Sequence, residues 1–353
     1  MSIHNLKITN LRNIAQAGLQ FGPGLNLIHG DNGSGKSTLL EAIYLLARGR
    51  SYRTSRFGSV IKKGETSTIL FAKTRTDREH RIGLEKTPSK TRVKVDGQEV
   101  DKLSEIARIT PLQIITPMSH EILERGPEYR RRFLEWGVFH VEHTHFSLYR
   151  QFNKILRQRN SAIREQNQAL DAWDSALVDK GEQLNQLRSD YFDNMIGKFA
   201  THAERLGLEP NLDFNWKSGW KRDVRYADAL KQSRALDLER GFTNYGPHRA
   251  DFSVQIDGRS AFNSASRGQQ KMIIVALHLA QASIAKERLG IVPILLIDDL
   301  VSELDQSNRN RLLNHLDSLK SQVFVTSTDN INRSEFHGAA GFRIAAGVPS
   351  ALD

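Results

Sequence analysis

The chain contains no cysteine. That absence excludes disulfides, thiolate metal sites, iron–sulfur clusters and cysteine nucleophiles together, and it fits a reducing compartment. Proline is scarce, nine in 353 residues, so little in the composition interrupts helices. Long apolar runs are missing as well. The most apolar stretches begin at Met272 and span residues 291–297, far short of the roughly 20 residues that cross a bilayer. Residues 1–7 lack the basic start and apolar segment of a secretory signal. The expectation is a cytoplasmic protein without a membrane partner. What the chain does have is a globular balance of 39% hydrophobic and 25% charged residues, enough for one large or two ordinary domains. Its 50 Lys+Arg against 40 Asp+Glu leave a formal charge of +10, which points to an anionic partner, nucleic acid first.

The pattern of elements is mixed. Leu6, Ile8 and Leu11, the turn Phe21-Gly22-Pro23-Gly24 and the alternating Leu25-Asn26-Leu27-Ile28 predict short strands. Residues 38–47 predict a helix. Residues 57–100 predict an antiparallel β region, with Asp96-Gly97 supplying tight-turn chemistry. From 148 to 199 there is no proline, and apolar residues recur at helical spacing. Leu148, Phe152, Leu156 and Ile163 mark one helix; Leu170, Trp173, Leu177, Leu184 and Tyr191 mark the next. A helical hairpin of about fifty residues reaches only about 35–40 Å, a short arm. A second strand with an Asp257-Gly258 turn, an almost wholly apolar helix over about 270–284, a buried parallel strand over 291–297 and another core strand at 323–326 complete the chain.

Gly30-Asp31-Asn32-Gly33-Ser34-Gly35-Lys36-Ser37 has the form G-x-x-x-x-G-K-[ST], after a strand and opening a helix that continues with Thr38. Such glycines let backbone N–H groups curl around phosphates, and the helix N-terminus adds positive potential. Lys36 is placed to reach the β- and γ-phosphates of ATP and Ser37 to ligate Mg²⁺. The run Ile294-Leu295-Leu296-Ile297-Asp298-Asp299 supplies a carboxylate at the end of a buried strand. Asp298 is the expected second metal ligand, and Asp299 the residue that orients or deprotonates the attacking water.

Ser266-Arg267-Gly268-Gln269 lies 32 residues before Asp298 and opens the apolar helix. Here the chain resembles ABC-type ATPases, whose S-x-G-Q loop binds the γ-phosphate of nucleotide held by the opposing protomer. Ser266, Gly268 and Gln269 are the implied contacts. A plain capping box, Ser266 with Gln269, accounts for the same residues, and both readings can hold at once. Three further positions fit the class: Asp305 in Ser302-Glu303-Leu304-Asp305 as a loop facing the other protomer, Gln113 as the glutamine that joins the lobes and watches the metal, and Thr328 where transporter enzymes carry a switch histidine. Thr328 and Asp299, the latter in place of the usual Glu, depart from the transporter pattern and suit a slow switch.

Within that class the chain resembles the RecF family of bacterial recombination mediators. The resemblance rests on Leu11-Arg12-Asn13, on residues 49–53 (GRSYR), 130–137 (RRRFLEWG) and 246–251 (GPHRAD), and on the SRGQ, IDD and SELD series. It implies an α/β fold, an ABC-type ATPase head carrying an inserted helical arm. The lobes are expected at 1–115, 116–245 and 246–353. It also implies an ATP-dependent dimer acting at single-strand/duplex junctions and gaps, with RecO and RecR as partners in placing the RecA recombinase, and a part in SOS induction. ATP and Mg²⁺ are the implied cofactors, and a weak DNA-stimulated ATPase the implied activity.

Candidate DNA contacts are the triplet Arg130, Arg131 and Arg132, and Arg150, Lys154, Arg157, Arg159 and Arg164 on the arm's first helix, where no acid occurs from 150 to 164. Such a surface neutralises phosphates without reading bases. The triplet serves equally well to stabilise a nearby helix C-terminus, and the arm's cations to form a solvated face. Two rival functions stay open on these residues: a transporter's nucleotide-binding subunit, and a scaffold that binds ATP without hydrolysing it.

Overall fold

The computed structural model describes residues 1–353 except 77, 101, 167–169, 210, 330, 333, 334, 337 and 353, and leaves the side chains of 57 and 104 undescribed. The chain forms two compact units. One comprises Met1–Ser119, Arg205–Leu208 and Lys271–Asp353; the other comprises His120–Glu204 and Glu209–Gln270.

The first unit opens with β1 (Ser2–Leu11), β2 (Ile14–Gln20), β3 (Leu25–His29), α1 (Lys36–Arg48), β4 (Thr68–Arg75), β5 (Glu79–Lys86), β6 (Thr91–Val95), β7 (Gln98–Glu99), α2 (Leu103–Ile109) and β8 (Leu112–Ile115). An antiparallel sheet runs in the order β2-β1-β4-β5-β6-β7. Its last hairpin turns on Asp96 and Gly97, both left-handed at φ 51° and 88°, as a two-residue turn matched to strand twist requires. Helix α1 is apolar almost all round. Its Leu39, Leu40, Ala42, Ile43, Leu45 and Leu46 are buried in one core with residues of β1, β4 and β5 and with Ile294, Leu296 and Phe324 from the unit's second large sheet, so both sheets contribute to its packing.

The second unit contains α3 (Glu121–Glu124), α4 (Pro127–Val141), α5 (His145–Arg164), α6 (Asp171–Arg205), β9 (Leu212–Lys217), α7 (Tyr226–Arg240), β10 (Asp251–Ile256), β11 (Arg259–Ser260), α8 (Ala261–Ser264) and the start of α9 (Arg267–Leu289). The 35 residues of α6 amount to about 50 Å of helix, longer than the hairpin estimate from sequence. The arm is also not a bare pair. Leu148, Phe152 and Leu156 of α5 and Leu177 and Leu184 of α6 share their core with Tyr226 and Leu230 of α7. Gly181 leaves room for the Tyr226 ring, which a Cβ would meet at 2.5 Å. Strand β10 pairs antiparallel with β9, which keeps residues 246–270 in this unit, whereas the sequence reading returns to the ATPase lobe at 246.

The chain re-enters the first unit within α9 and continues with β12 (Ile294–Ile297), α10 (Gln306–Ser318), β13 (Val323–Ser327), β14 (Ala340–Ala345) and β15 (Val348–Leu352). The second large sheet runs β15-β14-β3-β13-β12-β8. Pairings β14–β3, β3–β13, β13–β12 and β12–β8 are parallel. All four residues of β12 are buried, the signature of a strand flanked on both sides in a parallel sheet. This topology brings the C-terminal ends of β3 and β12, His29 and Ile297, near each other across nearly the whole length of the chain.

Candidate nucleotide site at the strand ends

The loop between β3 and α1 is shaped by what it cannot accommodate. A Cβ at Gly30 would collide with the Ile344 carbonyl, and Gly33 and Gly35 take φ values of 78° and 121°, open to glycine at little cost. Asn13 braces the loop from outside. Its Nδ2 donates to the Ser34 carbonyl at 3.0 Å, and its Oδ1 accepts from Thr38 Oγ1 at 3.1 Å. Helix α1 starts with no side-chain cap, which leaves its first amides and the positive end of its dipole facing the loop. Lys36 is 4% exposed. Its Nζ donates to the carbonyls of Gly30 at 2.9 Å and Asp31 at 3.2 Å and stands 3.8 Å from Asp299 Oδ1. Asp31, Asn32 and Gly33 are exposed at the loop's tip.

Beside the loop, Ser37 Oγ donates to Asp298 Oδ1 at 3.0 Å. The same oxygen accepts from Thr326 Oγ1 at 2.8 Å, and Oδ2 accepts from the Tyr52 hydroxyl at 2.8 Å. Burial, and then the Asp298 carboxylate, push the Tyr52 phenol well above its ordinary value, so it remains a donor. Asp299 sits at φ 49°, an uncommon conformation for a non-glycine residue, and its N–H donates to Thr326 Oγ1 at 2.8 Å. Among the described residues its buried Oδ1 has no hydrogen-bond partner, only the Lys36 ammonium at 3.8 Å. Burial raises the Asp299 pKa, with Lys36 pulling the other way. Ser34 Oγ is likewise buried and, among the described residues, without a hydrogen-bond partner. An orphaned hydroxyl, uncapped amides and a buried ammonium suit a polyphosphate. The paired hydroxyl and carboxylate are hard oxygen donors that suit Mg²⁺.

The structure brings Lys36, Ser37, Asp298 and Asp299 together. Gln113 is not with them: it lies opposite Leu295 in the β8–β12 register, three positions before Asp298, and its buried Nε2 donates to Gln281 Oε1 at 3.1 Å. Thr328 is exposed, with its N–H and Oγ1 on Ser302 Oγ at 3.2 and 3.3 Å; Ser302 Oγ is also 3.0 Å from Ser327 Oγ. Asp305 caps α10, accepting from the Asn308 amide at 2.9 Å. Ser266 and Gln269 form a reciprocal capping box at the start of α9: Gln269 N donates to Ser266 Oγ at 3.2 Å and Ser266 N to Gln269 Oε1 at 2.8 Å. Gly268 lies in the same first turn.

Of the arginine triplet, Arg130 is tied to Asp251 at 2.6 and 3.1 Å and to the carbonyls of Ile122 and Arg125 at the end of α3 at 3.1 and 2.6 Å. Arg131 donates to the Ala250 carbonyl at 2.8 Å, and exposed Arg132 pairs with Glu128. Arg159 leaves the arm's surface altogether. It is fully buried, 2.6 Å from Asp174 and 2.8 Å from Asp237. Arg150, Lys154, Arg157 and Arg164 are exposed. Neither Tyr52 nor Thr326 stands out in the sequence as a site residue. Tyr52 lies within the family-like segment 49–53, and Thr326 reads as the end of a core strand.

These features have close relatives. The family model described as RecF/RecN/SMC N terminal domain matches residues 2–344. The chain is 38% identical over 332 residues to the DNA replication and repair protein RecF of Hydrogenovibrio crunogenus, covering 92% of each. It is likewise 38% identical over 331 residues to the RecF protein of Salmonella arizonae, covering 93% of each. The chain belongs to the RecF family. It is accordingly a recombination mediator ATPase of DNA repair and replication, and the transporter alternative is not favoured. A solved structure described as the recombination mediator protein RecF-ATPrS in the RecFOR pathway superposes with a TM-score of 0.84 at 29% identity, over 100% of this chain and 98% of the other. A solved SMC head bound to the C-winged helix domain of ScpA matches at a TM-score of 0.61 and 16% identity, which establishes the shared ATPase-head fold.

Proposed function

We propose that this RecF-family chain binds ATP with Mg²⁺ at the strand-end site, and that ATP closes a homodimer on DNA which slow hydrolysis reopens. The observation that carries the reading is the convergence of Lys36, Ser37, Asp298 and Asp299 from two distant parts of the sequence. Residues 30–38 would cradle the phosphates through their amides. Lys36 would exchange its loop carbonyls for phosphate oxygens, and Ser37 and Asp298 would hold the metal, with Tyr52 and Thr326 fixing the carboxylate. Bound Mg²⁺ supplies charge neutralisation on the β- and γ-phosphates. Asp299, whose Oδ1 lies 3.8 Å from Lys36 Nζ and whose pKa burial raises, would accept a hydrogen bond from the attacking water, giving a weak, DNA-stimulated ATPase. Gln113, held by Gln281, would couple to the metal only after repositioning. Thr328 and Ser302 would form the switch, and Ser266, Gly268, Gln269 and Asp305 would face nucleotide on the opposite protomer, which makes turnover depend on dimerisation.

DNA in single-stranded, gapped and junction forms is the proposed partner, with RecO and RecR, and Arg132, Arg150, Lys154 and Arg157 are its proposed phosphate contacts. Arg130 and Arg131 serve the fold, given their partners. Sedimentation of the wild type and Lys36→Ala, with and without ATP–Mg²⁺, tests the reading. The wild type should dimerise on ATP and the variant should not. ATP-independent behaviour that is identical in the two would reject the ATP-closed dimer and leave a non-hydrolysing scaffold.

A further inference from the structure

The exposed side of α5 carries rings as well as cations. Helix α5 contains no Asp or Glu over its 20 residues. Arg150, Lys154, Arg157 and Arg164 are exposed, and among the described residues none of the four has a carboxylate within ion-pair reach. At 100° per residue, Phe146, Arg150, Arg157 and Arg164 fall within about 40° of one line along the helix, with Tyr149 and Lys154 on its flanks. Phe146 and Tyr149 are 36% and 39% exposed, although large aromatic side chains are mostly covered in folded domains. Both rings are held in place. Phe146 meets Phe139 edge-on at 5.9 Å and lies 5.8 Å below the Arg150 guanidinium, and Tyr149 stacks on His145 at 5.9 Å.

We propose that this stripe is a single-strand platform, on which Phe146 and Tyr149 stack unpaired bases while Arg150, Lys154 and Arg157 neutralise the backbone. The assignment rests on the reading of the protein as DNA-binding and adds which form of DNA this surface selects. The physical ground is an asymmetry. Cations gain at least as much from duplex phosphates as from single-strand ones, but base faces in a duplex are already covered by their neighbours, so fixed aromatic faces gain only from unpaired bases.

Anisotropy titrations of the full chain with a labelled oligothymidylate and with a duplex, each at two salt concentrations, test it. Phe146→Leu/Tyr149→Leu keeps apolar bulk and removes the flat faces. It should weaken single-strand binding about tenfold or more and leave duplex binding within about twofold. Arg150→Gln/Lys154→Gln/Arg157→Gln should weaken both and flatten the salt dependence. Tyr149→Leu alone, whose ring lies at the surface, carries the test if the double variant does not fold. Equal losses on both DNAs, or no loss, from removing the rings would overturn the platform, as would preferential binding of the wild type to vesicles of anionic lipid. Binding to DNA that all the α5 variants retain would remove this assignment and leave the DNA-binding reading intact; failure of the wild type to bind either DNA would reject that reading itself.

Discussion

Replacing Tyr52 with phenylalanine removes one oxygen from the metal side of the site. Asp298 is 6% exposed, and among the described residues its Oδ2 accepts only from Tyr52, at 2.8 Å, while Oδ1 is shared by Ser37 and Thr326. A buried carboxylate oxygen stripped of its donor costs about 1.5–3 kcal/mol, so urea unfolding without nucleotide should show a loss of that size. The same hydroxyl fixes the direction of a proposed metal ligand. Losing such an outer partner typically lowers metal affinity 10–100-fold, which is about 1.4–2.7 kcal/mol. A titration of Mg²⁺ against binding of a fluorescent ATP analogue reads that second effect directly. Thr326→Val, which removes a donor from the other oxygen, should act in the same direction. If Tyr52→Phe changes stability by less than about 0.5 kcal/mol and leaves the Mg²⁺ midpoint within about twofold, the carboxylate is not held as described and the proposed metal site loses its support.

Arg159→Met should destabilise the protein by about 3–5 kcal/mol, because it leaves Asp237 buried without its charge partner; urea unfolding checks this, and adding Asp174→Asn and Asp237→Asn should recover much of the loss. His278 is buried, and burial lowers its pKa from the ordinary 6.5 to about 4. The folded state therefore binds fewer protons than the unfolded chain between those values, so stability is full above pH 6.5 and falls on acidification towards pH 4, by about 3 kcal/mol for this group. Thermal melts across that window should show the decline, and His278→Gln, if it folds, should flatten it. Arg130→Ala should lower the melting temperature, since it frees Asp251 and the carbonyls of Ile122 and Arg125, while leaving the salt dependence of DNA binding unchanged.

What was legible in the sequence was what is decided locally. The phosphate loop, the capping box at Ser266 and Gln269, and the two Asp-Gly turns depend on residues within a few positions of each other. Asp298 was legible because a buried strand must end before a carboxylate can appear. Arg159 stands three residues after Leu156 and four before Ile163, a spacing that puts it on the buried face, although its charge in a basic helix points to the surface. Arg130 could not. Its carboxylate, Asp251, lies 121 residues away, and no periodicity connects them. Tyr52 and Thr326 reach Asp298 through the β13–β12 pairing and the segment after α1, a proximity that only the folded chain creates. Strand β14 does alternate, with Phe342 and Ile344 buried and Arg343 exposed, but its place beside β3 comes from the sheet.

The central claim is that nucleotide at the strand-end site controls DNA binding. Its most direct test is a titration of gapped, single-stranded and duplex DNA against the wild-type protein, with and without ATP–Mg²⁺, at two salt concentrations. The account predicts tighter DNA binding with ATP–Mg²⁺, an affinity that falls steeply with salt, and no ATP effect in Lys36→Ala. DNA affinity that ATP leaves unchanged in the wild type would contradict it.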